Sequence, residues 1–151
     1  MRGLASILVL VASFLVACSG DDTTEAPSGA KTSVTQTVGP EGGTIVLDGA
    51  TVTFPAGALP SATSITIAAT DEAPPEGHTA LSRVFKCDPS GLAFDPKVTM
   101  AMKFVADGKQ PTMFWSSGAD PTFTDVGGTV EGDVMSAGVA HFSRGFVGHA
   151  P

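Results

Sequence analysis

From Val34 onward, apolar and polar residues alternate in short runs separated by turn residues. A period of two sends successive side chains to opposite faces of an extended chain, so each run predicts a strand with one buried face. In "GGTIVLDGATVTFP", Ile45 and Leu47 share a face up to Asp48-Gly49, and Val52 and Phe54 share it on the way back. This predicts a hairpin with an Asp-Gly turn. "SITIAAT" sets Ile65 and Ile67 on one side, and "KVTMAMKFV" aligns Val98, Met100, Met102 and Phe104 opposite Thr99, Ala101 and Lys103. "PTMFWSS", "TFTDV" and "TVEGDVM" continue the pattern, the last broken by a turn at Glu131-Gly132. A helical period is sustained nowhere in this region for more than about two turns. "PAGALP" allows a single helical turn capping the sheet. About eight or nine short strands with no long helix predict an all-β domain over residues 34–151, a two-sheet antiparallel β-sandwich.

The preceding residues follow other patterns. "MRGLASILVLVASFLVAC" opens with Arg2, runs apolar from Leu4 to Val16 and ends on Ala17 and Cys18. The run is shorter than the roughly 20 apolar residues a spanning helix needs and has the layout of an export signal. Its end, Leu15-Val16-Ala17-Cys18, resembles the lipobox of bacterial lipoproteins. The resemblance implies removal of residues 1–17 and acylation, with palmitate among the chains, at Cys18. "SGDDTTEAPSGAKTS" then offers no large apolar side chain to bury, so residues 18–33 are expected to form a disordered tether. Its ends would lie roughly 20–25 Å apart. An ordinary secretory signal with a chance cysteine is the plainer alternative; the polar tether directly after Cys18 favours the lipoprotein. Ser19 stands where an inner-membrane retention signal would carry Asp, so in a cell with two membranes the outer one is the expected destination.

The hydrophobic content of 42% suffices for a core, while a net charge of −7 sets nucleic acid aside. Lys31, Arg83, Lys86, Lys97, Lys103, Lys109 and Arg144 are scattered, with no basic stripe to meet phosphates. With Cys18 acylated, Cys87 has no partner for a disulfide and reads as a small buried hydrophobe in a strand.

Familiar chemistry is missing. The acidic turns lack the alternating oxygens and distal Glu of an EF-hand, and His78, His141 and His149 form no zinc-type cluster. No nucleophile elbow or phosphate-gripping glycine loop is present. No metal or cofactor is therefore expected. Trp115, the single tryptophan, could stack on a sugar ring, but among apolar neighbours it reads as core.

Three landmarks carry a family resemblance: Gly42-Gly43, "FPAGAL" (Phe54 to Leu59) and "DPSGLAFDPKV" (Asp88 to Val98). Across residues 38–105 the chain resembles the ZU5 domain, named after zona occludens proteins and the Unc-five netrin receptors and found also in ankyrins and bacterial surface proteins. The resemblance implies a β-sandwich used as an interaction module, without a cofactor. No companion or death domain follows in this sequence, so the signalling roles of those architectures are not carried over. Some relatives cleave themselves at a Phe-Ser bond, and "HFS" (His141, Phe142, Ser143) is similar to that site. The Ser143 hydroxyl would attack the Phe142 carbonyl with His141 as base. At i and i+2 on one strand, His141 and Ser143 would point the same way. The plainer reading is the last strand of a sheet, with Phe142 and Phe146 in the core and His141 and Ser143 facing solvent.

The sequence thus leads to a non-enzymatic envelope lipoprotein, held to the bilayer through Cys18 and presenting a β-sandwich to a protein of the envelope or surface. Autoproteolysis at Phe142-Ser143 and glycan binding through Trp115 are the alternatives.

Overall fold

A computed structural model describes residues 32–117 and 122–150; the signal segment, Cys18 and the tether up to residue 31 lie outside the described residues. Within them the fold is all-β. Twelve strands run in the order β1 (Ser33–Val38), β2 (Gly43–Leu47), β3 (Ala50–Phe54), β4 (Thr63–Thr70), β5 (Thr79–Ala80), β6 (Val84–Asp88), β7 (Ala93–Lys103), β8 (Thr112–Ser116), β9 (Phe123–Gly127), β10 (Thr129–Glu131), β11 (Val134–His141) and β12 (Arg144–His149). A seven-stranded sheet is ordered β1-β4-β6-β12-β8-β9, with β5 also on β12; a five-stranded sheet is ordered β10-β11-β7-β3-β2. All the pairings are antiparallel, and the two sheets pack face to face.

The alternation in the sequence sets which residues face inward. Ile45 pairs with Val52, Val52 with Met100 and Met100 with Ala137, forming one buried row across four strands. Leu47, Ala50, Met102 and Met135 form the next. A one-residue slip of any of these strands would turn its apolar set to water, so burial fixes the register. Ile65, Ile67, Cys87, Trp115 and Val147 meet these rows from the seven-stranded sheet. The hairpin turn falls at Asp48-Gly49, and a second turn follows Glu131.

Three expectations need correction. "PAGALP" forms turns and no helix, because Gly57 takes a left-handed backbone (φ 83°) that interrupts a helical run. Ala58 and Leu59 of this segment are buried in the core instead. The strands number twelve among the described residues, since the mostly polar "SVTQTV" of β1 shows little apolar alternation and β5 has only two residues. Finally, Met113, Phe114, Trp115 and Ser116 of β8 are all buried, as are Gly145 to Gly148 of β12, so these two strands are covered on both faces. Phe114, Phe146 and Val84 make a second cluster, joined by Ala80 and Phe123. The 71–78 loop covers it, with the His78 ring edge-on to Phe114 at 4.8 Å. Arg83–Asp71 and Arg144–Glu72, each 3.1 Å, tie the loop's first residues down.

Candidate functional site

The "HFS" segment is the crossover between the sheets. β11 ends at His141 in the five-stranded sheet and β12 starts at Arg144 in the seven-stranded one, leaving Phe142-Ser143 as the link. The period-two expectation for these residues therefore fails. Phe142 is fully buried as anticipated, but Ser143 is only 1% exposed instead of facing solvent. Its hydroxyl is hydrogen-bonded to the Ser116 hydroxyl at 2.5 Å. His141 Nε2 lies 3.1 Å from the Ser116 carbonyl oxygen, which can only accept, so this nitrogen carries the proton and donates. The ring nitrogen nearest Ser116 is thus in the wrong state to act as a base. The peptide around Phe142-Ser143 is held by backbone bonds on both sides. Phe142 N–H donates to Leu92 O, Gly91 N–H to Phe142 O and Cys87 N–H to Ser143 O, each at 2.8 Å. One donor, the Gly91 N–H, reaches the Phe142 carbonyl.

Trp115 is 3% exposed and packs in the main core, with its indole N–H donating to His141 O at 3.0 Å. A buried ring cannot offer a face to a sugar, so the glycan reading loses Trp115 as its platform. Cys87 is fully buried, and burial, reinforced by the neighbouring Asp88 carboxylate, pushes its thiol from 9.0 up to about 12. Folding therefore keeps the thiol neutral, and this stability is complete below pH 9 and declines as pH rises toward 12. At pH 8 the native thiol is expected to resist iodoacetamide and to react only once the chain is unfolded; alkylation of the native protein at the rate of a free peptide thiol would contradict this placement.

The three histidines are dispersed: His78 on Phe114, His141 on Ser116, and His149 on Asp107 at 2.8 Å. No metal-holding group of side chains occurs among the described residues. The hydrogen bond from His149, with that from the Lys109 N–H, holds the Asp107 carboxyl below its usual range. This pair joins two concavities. On the Asp107 side, a groove of about 760 Å³ is lined by Leu81, Arg83, Lys103, Phe104, Val105 and Asp133, among others. Val105 stands 78% exposed in it. Volume and apolar floor fall within the range of binding sites. On the His149 side lies a smaller pocket of about 390 Å³ against β8 and β9.

Sequence reasoning missed Ser116, Gly91 and the Asp107–His149 pair. Each acts through a partner distant in the chain, and only the turn chemistry of "ADGK", with Asp107 accepting from the Lys109 N–H, is a local signal. In a comparison with known families, the ZU5 domain matches residues 34–116, covering strands β1 to β8. A comparison with curated proteins gives no match.

Proposed function

The chain belongs to the ZU5 domain family, and from that premise we propose that it is a non-enzymatic interaction module held at a membrane by an acylated Cys18. The observation that carries the reading is the ZU5 match over 34–116 in a sandwich preceded by "LVAC" and a polar tether. Acylation at Cys18 supplies the anchor, each buried methylene contributing about 0.8 kcal/mol, so that two or more chains hold stably where one would not. The tether lets the sandwich stand off the lipid headgroups, with the outer membrane as destination in a two-membrane cell. The groove at Val105 is the contact surface for an envelope or surface protein: a bare valine over an apolar floor, flanked by Lys103, Arg83 and Asp133. A non-enzymatic role is favoured by His141 donating to a carbonyl while the Ser143 hydroxyl pairs with Ser116.

One fractionation experiment addresses the anchor and the absence of self-cleavage together. Membrane-extracted protein is expected to show an intact mass that starts at acylated Cys18 and is uncut at Phe142-Ser143, and Cys18→Ser is expected in the soluble fraction. A Cys18→Ser protein that stays in the pellet and incorporates labelled palmitate like the parent overturns the anchor. A chain cut after Phe142 overturns the non-enzymatic reading.

A further inference from the structure

The smaller concavity is built differently from the groove. It is lined by Gln110, Thr112, Phe114, Asp125, Gly127 and His149, among others. Its shape comes from a β-bulge. Met113 pairs with Gly127 and Phe114 with Asp125, so Val126 is an extra residue in β9. Bulges of this kind re-aim neighbouring side chains and recur beside binding sites. Here the bulge lets Asp125 Oδ1 accept from the Gly127 N–H at 2.7 Å and also from the Thr112 hydroxyl. The carboxylate is thereby fixed through one oxygen. Its Oδ2 has no hydrogen bond among the described residues, nor does the Gln110 side-chain amide. His149 is fixed likewise, since Nε2 is engaged by Asp107 and Nδ1 is left over. Two clamped groups and an amide thus line one concavity, each with hydrogen-bonding capacity to spare.

We propose that this pocket binds a single neutral sugar ring. Vicinal hydroxyls both donate and accept, which suits a carboxylate oxygen, an amide and an imidazole nitrogen set around one cavity. At about 390 Å³ the volume is near the lower end of the range for ligand pockets, about 300–1,000 Å³, which fits one ring better than a chain. Asp125 has no cationic partner among the described residues and the chain carries −7, so phosphorylated or acidic ligands are repelled. A quaternary ammonium lacks the aromatic cage that would hold it, because Phe114 is the one phenyl ring of the lining and is itself 3% exposed. The site does not use Trp115, and it meets the groove at Val105 only through the Asp107–His149 pair.

The test is an amide NMR titration of the isotope-labelled full chain, kept in a detergent without a sugar headgroup. D-glucose, D-mannose and N-acetyl-D-glucosamine are the probes, with choline as the cationic control. At least one sugar is expected to shift the Gln110 side-chain amide and the Gly127 and Gly128 signals, with a dissociation constant on the order of 1 mM. Gln110→Ala and Asp125→Asn are each expected to weaken it by about tenfold. Asp125→Asn keeps an oxygen for Thr112 and Gly127, so an unchanged melting temperature verifies that the fold survives. No shift with any sugar, shifts with choline alone, or sugar shifts that persist unchanged in both variants overturn the proposal.

Discussion

Phe142→Ala is expected to lower the unfolding free energy by about 3–5 kcal/mol, the range for removing a buried aromatic ring. Phe142 is completely buried where the chain leaves one sheet for the other. Its ring meets Phe94 edge-on at 4.7 Å and Phe54 at 5.8 Å, and those two meet each other at 5.9 Å. Truncation opens a cavity beside the Phe54 and Phe94 rings and removes two aromatic contacts of about 0.5–1.5 kcal/mol each beyond area burial. The neighbourhood is poorly placed to collapse into the space. Both peptide groups flanking Phe142 are fixed to the 87–92 segment by backbone bonds. Against a total stability of about 5–15 kcal/mol, such a loss is a large fraction. Urea denaturation measures it, and Phe142→Leu, which keeps most of the volume, should cost less than half as much. A loss under about 1 kcal/mol for the alanine variant would show that the crossover is not the clamp between the sheets.

The contrast between what was legible in the sequence and what was not runs through this same segment. Ile45, Leu47, Val52, Phe54, Val98, Met100 and Met102 could be placed inside from alternation alone, because their strands keep one face on the core along their length. Alternation tells which face a side chain takes; it does not tell which sheet a strand joins. At Phe142-Ser143 the chain changes sheets, and the i, i+2 rule loses its meaning because no single strand passes through. Ser143 is buried for that reason, and its partner Ser116 lies 27 residues away. The same limit hid the second cluster. Phe114 and Trp115 are adjacent, so an alternating strand must send one of them outward, and Phe114 is kept dry by His78 of the 71–78 loop together with Phe146, Phe123 and Ala80. The concavities were out of reach too. They join residues from loops and strand ends whose approach depends on topology, as with Asp107 and His149, which are 42 residues apart.

Gly145→Ala should be nearly as damaging, although it adds only a methyl group. Gly145 pairs with Trp115 of β8 and with Phe85 of β6, holding the middle of the seven-stranded sheet. A Cβ at this position would sit 2.1 Å from Trp115 Cε3 and 2.7 Å from the Phe114 carbonyl oxygen, so the indole lies directly over the glycine. The backbone oxygen cannot yield without breaking the β8–β12 ladder. The indole cannot swing aside without giving up its N–H bond to His141 O. Overpacking costs about 1–3 kcal/mol. Losing the indole bond adds about 0.5–1.5 kcal/mol. The sum, about 1.5–4.5 kcal/mol, is expected as a shift in urea midpoint at unchanged slope. Since Trp115 is the single tryptophan, its emission should move to the red in the native variant. A smaller ring tests the cause: in a Trp115→Phe background the same glycine substitution should cost less, a coupling that a double-mutant cycle measures. Equal costs in both backgrounds, or an unmoved emission, would mean that the indole does not lie over Gly145.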